Sequence, residues 1–190
     1  MLDSDMGIVG AQFAIGGMTR TELREKASME TQIIADDWAY IRDRWRIEFD
    51  LDNCAAWPEH VWVELDLGNF VTQQDLREML LWYSNRLQYL RIPYGLDICL
   101  EAPDGESTGV MCYSTWLPGD EAPTFLAKDH RWSKAETKIL QSIGLLSRDA
   151  DVKLVTREES AKNYEAFRDY CERRRTDLGR VIELNQFLGG

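Results

Sequence analysis

Two hydrophobic periods alternate along this chain. From about Arg20 to Trp45 apolar side chains recur every three or four residues, with Ile34, Trp38, Ile41 and Trp45 on one stripe. That is the spacing of a helix with one face turned to a core. Thr19 with Glu22 three residues later supplies a capping box at its start, in which hydroxyl and carboxylate satisfy orphan backbone donors. At Ile47 the period drops to two. In Ile47-Glu48-Phe49-Asp50-Leu51-Asp52 every second residue is a carboxylate, and Val61 to Leu67 repeats the pattern with Trp62, Glu64 and Asp66. Successive strand side chains point to opposite faces, so acids and hydrophobes separate onto two sides.

The period lengthens again between Thr72 and Leu90, where Leu76, Leu80, Tyr83, Leu87 and Leu90 form one helical seam. Leu96 to Glu101 alternates once more, with Asp97, Cys99 and Glu101 opposite Leu96, Ile98 and Leu100. A turn at Pro103-Asp104-Gly105 then predicts a hairpin to a strand over Val110 to Leu117. Gly119 to Pro123 is a further break. Ser133 with Glu136 opens a helix to about Leu146, Val152 to Val155 reads as a short strand, and Thr156 with Glu159 opens a last helix. That helix carries Tyr164, Phe167, Tyr170, Leu178, Val181, Ile182 and Phe187. Residues 1–18 hold four glycines and no clean period, and read as a flexible or docking arm. They carry no GxGxxG, so nothing points to a dinucleotide loop.

The expected fold class is therefore α+β: an antiparallel or mixed sheet of four or five strands, one helix on its apolar face, and flanking N- and C-terminal helices. Residues 19–190 make one such domain. Its expected parts are an N-terminal helix over 19–46, an acidic sheet-and-helix core over 47–121, and a C-terminal helical part over 122–190. At 190 residues, 44% hydrophobic, with 7 Trp, 7 Tyr and 6 Phe, the chain can bury a proper core.

Charge changes the picture. Between Ile47 and Glu121 stand 14 acidic residues and three basic ones, a net of -11; the rest of the chain balances at zero. A pI near 4.7 speaks against direct binding to nucleic-acid phosphates or anionic membranes. No apolar run approaches the roughly 18 residues of a membrane span. The N-terminus opens acidic where a secretory signal is basic, and the four cysteines form no CxxC pair. A cytoplasmic protein with reduced thiols is the expectation.

If the alternating strands share one sheet, their polar sides present Glu48, Asp50, Asp52, Glu64, Asp66, Asp97 and Glu101 together, with Trp62 among them. Three uses suit such a face. It can be merely solvated, leaving the chain a structural subunit that docks through residues 1–18. It can hold a divalent metal for hydrolytic or nuclease chemistry through Glu48, Asp50, Glu64, Asp66 and Asp97. Or it can dock on a basic surface, as an acidic inhibitor or nucleic-acid mimic does, with Trp62 as hot-spot anchor. The favoured expectation is this third one. It is a non-enzymatic protein that needs no cofactor, with Glu48, Asp50, Asp52, Trp62, Glu64, Asp66, Asp97 and Glu101 binding the partner.

Other motifs offer less chemistry. His60 and His130 are the only histidines, no GxSxG elbow or P-loop occurs, and the cysteines read as small buried hydrophobes. Arg173, Arg174 and Arg175, with Arg168 and Arg180, form the one basic cluster. The simplest role for it is a helix surface paired with neighbours such as Glu172 and Asp177. A homodimer, the cluster of one copy against the acidic face of another, is its alternative use.

Overall fold

A computed structural model describes residues 7–101, 105, 107–114, 124–127, 133–146, 148–149 and 156–189. The elements run β1 (Gly7–Gly16), α1 (Arg20–Glu25), α2 (Met29–Trp45), β2 (Ile47–Ala56), β3 (His60–Leu67), α3 (Gln73–Tyr89), β4 (Tyr94–Glu101), β5 (Ser107–Ser114), β6 (Thr124–Ala127), α4 (Ser133–Ile143) and α5 (Arg157–Gly189). The architecture is α+β with flanking helices. One sheet of six strands has the order β2-β3-β1-β4-β5-β6, and every neighbouring pair is antiparallel.

The largest departure from expectation is at the start of the chain. Residues 7–16 are not an arm but the strand between β3 and β4. Phe13, Ala14 and Ile15 are fully buried. This second half of β1 is covered on both sides, and a strand so covered shows no alternation of polar and apolar residues, which hides it from pattern reading. The sheet edge is repaired where β1 outruns β3. The Gln73 side chain of α3 accepts from the Ile8 N–H and donates to the Ile8 carbonyl, both at 2.8 Å, as a neighbouring strand does.

The expected helix over 19–46 divides in two. Lys26 takes a left-handed conformation (φ 50°) and ends α1. Ser28 then opens α2 with its own capping box, closed by Thr31 rather than by a glutamate. Thr72 and Asp75 make the same reciprocal cap for α3, and the expected Thr156–Glu159 box is present ahead of α5. The Ser133–Glu136 side chains, His130, residues 115–117, the break at 119–123 and the expected strand over 152–155 lie outside the described residues. Thr124–Ala127 adds a strand to what was expected as a helical part.

The main core lies on one face of the sheet. Phe13, Ile15, Ile47, Val61, Val63, Leu96 and Ile98 from the strands meet Ile34 and Ile41 of α2, Leu76, Met79, Leu80 and Tyr83 of α3, and Ile139 and Leu140 of α4. Helices α2, α3 and α4, with Leu23 of α1, therefore cover this face, where one helix was expected. Phe13 sits against Tyr83 with ring centroids 5.1 Å apart, and Trp38 stacks on Phe49 at 4.7 Å. The polar tip of Tyr83 accepts a 2.7 Å hydrogen bond from the Trp38 indole. The opposite face of the sheet is where the candidate chemistry lies.

Candidate functional site

Strand register decides which residues share that second face. Glu48 stands opposite Asp66 and Asp50 opposite Glu64, across β2 and β3. Gln12 of β1 faces Glu64 on one side and Asp97 on the other, so one row runs Asp50, Glu64, Gln12, Asp97. Glu101 ends β4 opposite Gly7. Six of the seven expected carboxylates thus lie on one side of one sheet. The neutral strand β1 separates the β2–β3 acids from those of β4.

Three of the expected site residues have other roles. Asp52 leaves the face, because Leu51, Asp52 and Asn53 form a bulge with no partner across from them. There the backbone N–H groups of Asp52 and Asn53 donate to Asp50 Oδ1, and Asp52 meets Arg24 of α1 in an ion pair. Asp97 is only 4% exposed and accepts a 3.1 Å hydrogen bond from the Gln12 amide. Trp62 is not an exposed anchor: at 8% exposure it is buried in a cluster with Ala14, Phe167 and Cys171.

Helix α5 causes that burial. Tyr164, Phe167 and Cys171, at helical spacing, pack on the end of the face formed by Ala14, Gly16, His60 and Trp62. Close approach requires Gly16, since a Cβ there would stand 2.3 Å from Cys171 Sγ and 2.9 Å from the Pro93 carbonyl oxygen. Burial pushes the Cys171 thiol up to about 12, so it is a packing group rather than a nucleophile.

His60, fully buried, sits under this helix. Trp57 stacks on the ring at 4.9 Å, while Tyr164 and Phe167 meet it edge-on. Nε2 lies 2.9 Å from the Tyr164 hydroxyl; Nδ1 lies 3.3 Å from Glu59 Oε1 without the alignment of a hydrogen bond. Arg168 donates to the same Glu59 oxygen at 2.7 Å. Desolvation lowers the His60 pKa below the usual histidine value, more than the neighbouring Glu59 raises it. Desolvation would raise that of Glu59, but the Arg168 guanidinium outweighs it and holds the carboxyl below its ordinary value. A neutral imidazole enclosed on three sides by rings fixes the helix in place; it has no open position from which to take a substrate's proton.

Three members of the basic cluster, Arg168, Arg174 and Arg175, are paired within the chain. Arg174 pairs with Glu30 at 2.6 Å and Arg175 with Glu22 at 2.7 Å, so α5 is tied to α1 and α2 as well as to the sheet. These partners lie more than a hundred residues away in sequence; the Asp177 side chain lies outside the described residues. Nothing local in the sequence marks them.

Glu101, at the end of β4, is exposed, and on the β2–β3 part of the face a compact patch remains open. Glu48, Glu64 and Asp66 are exposed and Asp50 is half-buried. Asp50 accepts the two bulge N–H groups, and Glu64 accepts from the Asn53 amide at 3.2 Å. None of the four is paired with a cation among the described residues. Nor, among those residues, do three carboxylate, thiol or imidazole groups converge as a metal site requires. No described helix is long and apolar enough to cross a membrane. No protein-family model, curated protein or solved structure matches this chain.

Proposed function

We propose that this chain is a non-enzymatic binding protein whose β2–β3 carboxylates dock on a basic surface of a partner protein, in the manner of an inhibitor that occupies a nucleic-acid-binding or active-site groove. One observation carries the reading: Glu48 faces Asp66 and Asp50 faces Glu64, and none of the four is paired with a cation among the described residues. Like charges directly opposite in a sheet destabilise it, each pair by a few tenths to about 1 kcal/mol. A cationic partner removes that repulsion, and its long-range attraction speeds the encounter. Trp62 has no part in this, being committed to the packing beneath α5.

The test is retention of a basic partner on the immobilised chain from a cell extract, with salt raised in steps. The protein should release its partner as ionic strength rises past about 0.15 M, where the screening length is about 8 Å. The double variant Asp50→Lys, Glu64→Lys should retain nothing. Equal retention by the reversed variant would sink the proposal.

A further inference from the structure

β2 is the terminal strand of the sheet, and among the described residues no strand pairs with its outer edge. Two chemically different surfaces meet at that edge. On the helix-covered side a groove of about 550 Å³ opens between α2 and β2, with Ile34, Trp38, Phe49 and Leu51 among its walls. Ala35 and Ala39 keep the α2 wall low, and the Trp38–Phe49 stack, within 2° of parallel, gives a flat apolar surface. On the other side of the same strand the Glu48 and Asp50 positions lie across from Asp66 and Glu64, and Glu48 also reaches the groove's border. The geometry points to β2 as the docking edge for an extended segment of a partner protein, whose side chains alternate apolar and basic and which joins the sheet as a seventh strand. This rests on the carboxylate-face reading and says how the partner would sit.

A strand added at an edge gains main-chain hydrogen bonds, and its alternate side chains fall on the two faces of the sheet. Here the apolar set would enter the groove beside Phe49, and the basic set would come alongside Glu48 and Asp50, about 4.8 Å away in the pairing direction. The segment that can pair is Ile47–Asp50, because beyond it Asp50 Oδ1 already takes the N–H groups of Asp52 and Asn53. Three cations also line the groove. Asp52 pairs with Arg24 and Asp43 with Arg42. Lys26, which ends α1 on the bulge side with Arg24, carries no ion pair among the described residues. The attraction for a basic strand therefore comes from Glu48 and Asp50 alone. The same carboxylates choose the occupant. A second copy of β2 laid antiparallel on this edge would set Glu48 and Asp50 against their own counterparts, and like-charge opposition is how natural sheets repel edge-to-edge pairing. A basic strand meets attraction at the same positions.

The probe is a fluorescently labelled peptide of about eight residues, alternating lysine and valine, the length of an ordinary strand, titrated into the full chain and read by anisotropy. A strand has two edges, so N-methylation of one alternate set of its amides should weaken binding about tenfold or more, and methylation of the other set should leave it unchanged. A glutamate–valine peptide should not bind. Ala39→Leu, which narrows the groove without disturbing helix propensity, should weaken the lysine–valine peptide while the melting temperature holds. Equal affinity for both methylated peptides, or for a lysine–proline peptide of the same charge, would overturn strand addition and leave charge docking standing; so would an unaltered affinity in Ala39→Leu. Failure of every basic peptide to bind, even at low salt, overturns strand addition and the carboxylate-face reading together.

Discussion

The same face of one sheet is built in two opposite ways at its two ends. Around Gly16, His60 and Trp62 it is small and aromatic, closed over by α5, and the charge beside it is matched: Glu59 with Arg168. Around Glu48, Asp50, Glu64 and Asp66 it is charged and open, with no described cation to match it. The difference is one of desolvation. A charge taken out of water needs a partner, whereas an exposed one can be left to the solvent at the cost of mutual repulsion. The first end is held by packing and matched charge, and the second is left to the solvent.

Removing the keystone of the covered end should have the largest effect. Phe167 is fully buried between Ala14, Trp62 and the His60 ring. Phe167→Ala should therefore cost about 3–5 kcal/mol, the usual range for deleting a buried aromatic ring, measured by urea denaturation. A loss under about 1 kcal/mol would mean that α5 is not held as described. Gly16→Ala comes next. Its methyl group would intrude on Cys171 Sγ and the Pro93 carbonyl, an overpacking worth about 1–3 kcal/mol. Adding Cys171→Ala should return part of that loss, because it removes the nearer of the two clashes, and such non-additivity is the mark of a direct contact.

How much of this division was legible in the sequence follows from the same physics. Alternation exposed the acid strands, because each of those segments has one wet face and one dry one. It put Glu48, Asp50, Glu64, Asp66, Asp97 and Glu101 on a common side, and the β2, β3 and β4 registers agree. It missed β1, since Phe13–Gly16 is covered on both sides and the first half of the strand is interrupted by Gly7 and Gly10 and carries apolar Val9 where it is exposed. Nor did it foresee that Trp62 is dry. Its burial depends on Phe167 and Cys171, about a hundred residues later, and no period within β3 records what a distant helix does. The bulge that removes Asp52 is equally silent, because an extra residue in a strand leaves the composition unchanged. The break between α1 and α2 did leave a signal, the Ser28–Thr31 cap, in a form less familiar than serine with glutamate.

Acid should open the covered end before it touches the other. The folded chain keeps His60 neutral more firmly than the unfolded chain does, so as pH falls the unfolded state takes up the proton first. The contribution of His60 is thus fully present above about 6.5 and is lost below it, down through the lowered folded-state pKa. Glu59 behaves alike in a lower window: its carboxyl is held below the ordinary value, so its stabilisation is present above about 4.5 and fades below. Unfolding free energy measured against pH should begin to slope near 6.5 in the protein. In His60→Gln that slope should be missing while the lower one persists. An unchanged slope in the variant would assign it to other groups.

The smallest effect has the opposite sign, and it tests whether the open end is a binding surface. Glu64 faces Asp50 across the strand pair and Gln12 on its other side. Replacing it by glutamine removes a like-charge opposition while keeping an amide oxygen to accept from Asn53. Glu64→Gln should therefore stabilise the fold by about 0.2–1 kcal/mol at low salt, and the gain should shrink as added salt screens the repulsion. Calorimetric melts at two salt concentrations would show it. If the substitution instead destabilises the protein, the carboxylate takes part in the local hydrogen-bonding network strongly enough to outweigh the repulsion, and the open end is a structural feature. If it stabilises the fold while weakening retention of a basic partner, the chain keeps this charge against its own stability, which is what a binding surface requires.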